Sequence, residues 1–237
     1  MTAAEIGARI VARLDDAGPG MSVQPDAGGG VPPEVIAAVS EGYQLATMLT
    51  LCLETTTPLT LPAGTSAIDV RTVLADYIVP LRLLVGGVRL RPGTLSEFDA
   101  LDEGWFQRAG TADRYASLGF NLLVLNRQPA TNTTAQFTYA RAGAALGYND
   151  TPELPTDYHI DLVDYGLWRI RIKEGAQGLA RGAQYLNRFL DRMTALGDWV
   201  RARSRAARYD TSPCELALFD RSRLNPEKVR VRRPQIA

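Results

Sequence analysis

The stretch from Asp150 to Gly175, DTPELPTDYHIDLVDYGLWRIRIKEG, constrains the fold more than any other part of the chain. Pro152 and Pro155 make its lead turn-rich, and apolar residues then recur at helical spacing. Ile160, Val163, Leu167 and Ile170 form one stripe; Tyr158, Leu162, Tyr165, Trp168 and Ile172 form a second beside it. A helix apolar over so wide an arc packs on more than one side. The spacing therefore predicts the hub of a helical bundle, carried by Tyr158, His159, Leu162, Val163, Tyr165 and Leu167.

Helical patterns also stand at the chain's start and after the hub. Thr2 to Asp16 reads as a first helix with Ile6, Ile10 and Leu14 on one face, stopped by Gly18-Pro19. Gly18 to Gly30 reads as a connector. Pro32-Pro33-Glu34 opens a second helix, with proline near its first turn and an acid at the positive dipole end. Its apolar positions run from Val35 to Leu53. The longest helix is expected from Ala176 to about Arg208, where Leu179, Ala183, Leu186, Leu190, Met193, Leu196 and Val200 form a seam suited to antiparallel packing.

Between these halves the period changes from helical to alternating. Leu59 and Leu61 alternate, and Ile68 and Val70 follow a Pro-Ala-Gly turn. Leu81–Val85, Gly86-Gly87 and Val88–Leu90 read as a tight hairpin. Thr94-x-x-Glu97 is a capping box for a short helix through Leu101. Tyr115–Leu118, Phe120–Leu125 and Gln136–Arg141 read as further strands. The fold class expected is α+β: bundle helices at residues 1–53 and 150–209, an inserted small antiparallel β lobe at 54–149, and an extended basic tail at 210–237.

Charge is distributed unevenly along the chain. Lys and Arg balance Asp and Glu at 26 each, yet from Arg201 onward ten basic residues face four acidic ones, leaving −6 on residues 1–200. A basic tail on an acidic body calls for a partner beyond the domain's own surface. Two readings suit the run Lys228-Val229-Arg230-Val231-Arg232-Arg233. One is a nucleic-acid arm that displaces counterions from phosphates; the other is an extended strand laid on another protein, with Val229 and Val231 facing in. Phe219 is the tail's one aromatic beyond Tyr209, which favours protein docking over single-strand binding.

Tests for chemistry give little. His159 is the one histidine, so a zinc helix site has no second imidazole, and no Gly-x-Ser-x-Gly elbow supplies a nucleophile. Packing or capping at a helix start is the favoured role of His159, with catalysis the rival. Gly28-Gly29-Gly30 lacks the Gly-Lys-Ser/Thr ending of a phosphate loop and follows no strand. Cys52 and Cys214 have neither metal nor disulfide spacing. The expectation is no catalytic, cofactor-binding or metal-ligating residue, no membrane span, and synthesis in a cytoplasm.

Several segments together resemble the bacteriophage head-to-tail adaptor (connector) proteins. They are the Leu83–Leu90 hairpin, the Leu95–Asp99 helix leading to Trp105 and the Arg108-Ala109-Gly110 turn, Arg114-Tyr115, and the Asn121–Leu125 strand ended by Gln128-Pro129. The last is Asp150–Pro155 with Tyr158-His159, Leu162-Val163, Tyr165-Gly166 and Lys173-Glu174. The likeness covers roughly residues 80–195. It departs at Thr111-Ala112-Asp113, where such proteins usually carry a Gly-x-Pro turn, and at Gly166, where alanine is commoner.

The resemblance implies a structural protein of the virion's head–tail interface, forming a ring of usually twelve copies beneath the portal. It implies contacts with the portal and with downstream tail or nozzle proteins, and DNA passing through the channel without sequence-specific binding. The portal-docking residues it suggests lie in the tail: Phe219, Arg221, Arg223, Lys228, Val229, Arg230, Val231, Arg232 and Arg233. On this reading the tail orders only on the portal. The alternative reading is a nucleic-acid-binding module that uses the same tail.

Overall fold

The computed structural model describes residues 1–15, 30–174 and 176–206. The Gly18–Gly30 connector, apart from Gly30 itself, and the whole 210–237 tail lie outside the described residues. The chain is α+β. Helices α1 (Ala3–Asp15), α2 (Pro33–Thr50), α4 (Asp161–Arg171) and α5 (Ala176–Ala206) make a bundle. Between α2 and α4 come eight strands and a short helix, α3 (Leu95–Leu101). Among the described residues, no helix is long and apolar enough to cross a membrane.

The bundle core follows the sequence stripes. Ile6, Ile10 and Leu14 of α1, Val35, Val39 and Tyr43 of α2, and Phe189, Met193 and Val200 of α5 are fully or almost fully buried together. Helix α4 packs against α1, α2 and α5. Two of these crossings use glycine. A Cβ on Gly42 of α2 would stand 2.6 Å from Cδ1 of Tyr165, and one on Gly166 of α4 would run into Cδ1 of Ile10. The second neighbour is the flexible end of a side chain, so an alanine at Gly166 would need only a shift of Ile10.

Helix α2 is shorter than its apolar spacing predicts. It ends at Thr50, and Leu51 takes a left-handed conformation with φ +54°. That conformation strains a non-glycine residue, but Leu51 N–H still donates to Thr47 O at 2.9 Å and its side chain is buried. Leu51 packs with Val79, Leu81 and Ala140. The helix therefore stops where burying Leu51 against the lobe outweighs one more helical turn.

Two four-stranded sheets form the lobe. The first is antiparallel in the order β1 (Glu54–Leu61), β8 (Thr133–Arg141), β3 (Tyr77–Val85), β4 (Val88–Arg89). The second runs β2 (Ala67–Asp69), β7 (Leu122–Leu125), β6 (Arg114–Leu118), β5 (Arg91–Pro92), and its β5–β6 edge is parallel. The lobe is thus mixed rather than wholly antiparallel, because α3 and its following turn carry the chain back from the end of β5 to the start of β6.

The hairpin read at Gly86-Gly87 is present, with both glycines at positive φ, the geometry of a type I′ turn. Proline interrupts β3: the β3–β8 ladder shifts register between Pro80 and Arg82, where an N–H is missing. Phe120, expected to begin a strand, instead sits 72% exposed beside Gly119 in the β6–β7 turn.

Strand β8 alternates as a central strand should. Ala135, Phe137 and Tyr139 face the lobe core with Leu59, Leu83, Tyr115 and Leu123, while Ala140 faces Leu51. Phe137 and Tyr139 stack at 5.4 Å. On the far side of the second sheet, Phe98 of α3 and Trp105 cover Ala116 and Val124. Thr94 and Glu97 close the capping box in both directions, at 3.2 and 3.0 Å.

Candidate interaction surfaces

The hub stretch works first as a clamp on the chain's start. The N–H groups of Ala3 and Ala4 donate to the carbonyls of Asp150 and Tyr148 at 2.8 and 3.0 Å, occupying two of the donors a helix start leaves open. His159 is 2% exposed, with Nε2 2.9 Å from Leu154 O and Nδ1 3.0 Å from the Met1 nitrogen. A carbonyl only accepts, so Nε2 carries the proton and Nδ1 accepts from Met1. Both ring nitrogens are engaged in holding backbone. The packing role read for His159 agrees with this geometry, and the residue joins the 148–160 loop to α1.

The remaining hub residues are placed together. Leu162, Val163 and Leu167 are completely buried and Tyr165 is 2% exposed, while Tyr158 lies half-buried against the same cluster. Tyr165 meets Phe189 at 5.1 Å and Trp168 at 5.2 Å, so an aromatic chain crosses from α4 to α5. Burial pushes the Tyr165 hydroxyl well above its ordinary pKa, and a hydrogen bond to Glu41 acts in the same direction.

Several fastenings escaped the sequence reading. Thr2 and Glu5 form a capping box on α1, at 3.0 and 3.2 Å, with the same Thr-x-x-Glu signature that was recognised at Thr94. Thr47 Oγ1 accepts from Gly143 N at 2.9 Å, and Ser40 Oγ accepts from Leu146 N at 2.9 Å. These two polar residues inside an apolar helix pin the chain returning from the lobe, and no local spacing signals such long-range partners.

Two carboxylates on α4 lie close to the core. Burial raises the pKa of both Asp161 and Asp164; Arg192 opposes it for the first, Arg188 and Arg13 for the second. Asp164 Oδ1 faces Arg13 Nη1 at 3.5 Å and has no hydrogen-bond partner among the described residues. A carboxyl with a raised native pKa contributes stability that is full below its ordinary pKa and lost as pH rises through the raised one. Asp164→Asn is therefore expected to be neutral or stabilising near pH 7, by up to about 1 kcal/mol, with the advantage vanishing near pH 4. Urea unfolding at both pH values checks this. A variant clearly less stable at pH 7 would mean that the Arg13 ion pair outweighs desolvation.

The surface carries three further features. Along α5, Arg188 lies over Tyr185 at 5.1 Å, Arg192 over Tyr158 at 5.0 Å and Arg203 over Trp199 at 5.4 Å. Arg192 also reaches Asp161 at 3.3 Å, and Arg203 reaches Glu54 at 2.8 Å. The second feature is a cleft of about 310 Å³ in the lobe, lined by Phe98, Trp105, Asp102, Arg108, Arg114 and Arg127. Arg108 is held there by Asp102 at 2.9 Å. The third is the shallow groove between α2 and α4, bridged by Glu41–Arg169 and Glu34–Lys173 at 2.8 Å each.

Among the described residues no three His, Cys, Asp or Glu side chains gather in a way that holds a metal. Cys52 is half-buried beside the bundle core, and burial raises its thiol pKa. The tail residues from Phe219 to Arg233 lie outside the described residues.

Comparison with curated proteins yields no match. The family model described as SU10 adaptor protein matches residues 1–213. That span takes in both bundle halves and the lobe, and extends well beyond the 80–195 segment that carries the visible resemblance. The chain belongs to the SU10 adaptor family of phage head-to-tail adaptor proteins.

Proposed function

We propose that this protein is a structural component of the virion that assembles as a ring, usually of twelve copies in such adaptors, beneath the portal. The ring extends the DNA channel and offers a platform to downstream tail or nozzle proteins. Host cytoplasm is the site of synthesis and the head–tail interface the final location. Family membership over residues 1–213 carries this reading. It is supported by helices buried on several sides and by a basic chain that continues beyond Ala206.

The C-terminal part of α5 has a defined place. Val200 is buried in the bundle, and three residues later Arg203 pairs with Glu54 at the first residue of β1. The described part of α5 therefore reaches the junction between bundle and lobe. Phe219, Arg221, Arg223 and the alternating Lys228–Arg233 run are the residues assigned to portal docking. DNA passes through the channel without sequence-specific contacts, and the catalytic step of an enzyme has no place in this role.

The test is direct. Electron micrographs of portal rings from the same virus, mixed with the purified full-length protein, are expected to show an added ring with an open channel on one face. Portal rings that remain bare at saturating protein would overturn the assignment.

A further inference from the structure

One stripe along the exposed side of α5 carries charge of one sign. Arg181, Arg188, Arg192, Trp199 and Arg203 fall within an arc of about 60° at 100° per residue, along roughly 33 Å of helix. All five are exposed, Trp199 by 53%, and the helix's two acids, Asp191 and Asp198, stand off this line. The face joins the two residue types most enriched at the energetic centres of interfaces, arginine and tryptophan.

A surface of opposite character caps the lobe. Between Arg91 and Arg108 the chain has four acids, Glu97, Asp99, Asp102 and Glu103, and no base. Asp102 is taken up by Arg108 at the edge of the cleft that Arg114 and Arg127 also line, which leaves Glu97, Asp99 and Glu103 to set the sign of the outer surface. Glu97, Asp99 and Glu103 are exposed, and Leu101 among them is 63% exposed. This knob is rigid: the Thr94 capping box fixes its start, and Trp105 Nε1 donates to Asp99 at 2.8 Å. Preorganisation of this kind lowers the ordering cost of binding.

The whole chain is divided in the same way. Residues 1–175 hold 20 acids and 13 bases, whereas residues 176–206 hold 6 bases and 2 acids, so −7 faces +4 before the tail is counted. A nucleic-acid binder with this composition would press a strongly acidic body towards phosphates. Copies meeting head to tail instead satisfy both halves and build up no net charge as they add.

We infer that the arginine–tryptophan face of α5 in one copy docks on the acidic Glu97–Glu103 knob of the next. Leu101 is the apolar anchor that meets Trp199 and its neighbours. The contact is heterologous and so closes into a ring when the rotation between copies allows. The inference rests on the ring assembly proposed above, and it assigns that ring its two faces.

Complementary charge reversal tests it on portal rings of the same virus. One variant carries Arg181→Glu with Arg188→Glu, positions chosen because Arg192 and Arg203 serve ion pairs within their own chain. The other carries Ala100→Arg with Glu103→Arg, which leaves the Trp105–Asp99 bond in place. Thermal melts followed by circular dichroism establish that both fold. Each variant alone is expected to need at least tenfold more protein than the wild type to fill the portal, and an equimolar mixture to return within threefold of wild type. In an alternating ring every contact then joins opposite charges. Variants that load as well as the wild type, or a mixture that fails to recover, would overturn this interface while leaving the ring intact. A wild-type protein that never loads would overturn the ring itself.

Discussion

Phe189→Ala will lower the unfolding free energy by about 3–5 kcal/mol, the range for emptying a buried aromatic site. Phe189 is completely buried where α5 crosses α4, with its ring 5.1 Å from that of Tyr165. Tyr165 cannot move to fill the space. Its other face lies against Gly42 of α2, so closely that a methyl group there would clash, and Trp168 flanks it at 5.2 Å. The void therefore persists at the meeting point of three helices. Urea unfolding followed by helical circular dichroism measures the loss, with Phe189→Leu as a control that keeps most of the volume and costs about 1 kcal/mol. A loss below about 1.5 kcal/mol for the alanine variant would mean that α5 reseats itself and that the α4–α5 crossing is not rigid.

The same aromatic contact shows what the sequence made legible. Tyr165 and Leu162 sit on one predicted stripe and Val163 and Leu167 on the other, and all four are buried because helical period alone assigns residues to faces. The Gly86-Gly87 turn and the Thr94 capping box were readable for a related reason: each is a local rule with its partners within a few residues. Leu51 was not readable. Its left-handed backbone is bought by Val79, Leu81 and Ala140, residues distant in sequence, and nothing in the 33–53 pattern announces them. The parallel β5–β6 edge failed to appear for a similar reason, since pairing across 23 positions depends on where α3 and Trp105 settle on the second sheet.

His159 illustrates both sides. The missing metal partners and nucleophile motifs argued for a packed residue, and the two backbone contacts give that role a geometry. That it fastens the first helix to the hub required knowing that Met1 returns across 158 positions. The α5 surface was half legible. Its apolar seam was readable from Leu186 to Val200, but Leu179, expected on it, is 56% exposed and Ala183 is exposed too. The arginine–tryptophan stripe has no signature in the sequence because a charged outer face is what any surface helix shows. Its single sign becomes meaningful only beside the acidic knob on α3.

Cutting the chain after Tyr209 is expected to weaken docking on the portal at least 100-fold, equivalent to about 2.7 kcal/mol. The removed segment is 28 residues long, so in extended form it spans up to roughly 90 Å, ample to reach a neighbouring protein. Its Lys228–Arg232 run alternates base and valine, and a strand places the two sets on opposite faces. Valine facing a partner's sheet and cations facing solvent or an acidic rim is the arrangement that protein docking requires. Two further variants separate this from a nucleic-acid arm. Val229→Asp with Val231→Asp should reproduce most of the loss, whereas Arg230→Gln with Arg232→Gln should cost less than tenfold. Full-length and truncated proteins are compared by quantitative sedimentation with portal rings and, separately, with duplex DNA across a salt series. Equal docking by the truncated protein would remove the tail as anchor. Tail-dependent DNA binding that falls steeply with salt, without any effect of the valine changes on portal docking, would make the nucleic-acid arm the better reading, because counterion release depends on the number of cations and is indifferent to the face on which valine lies.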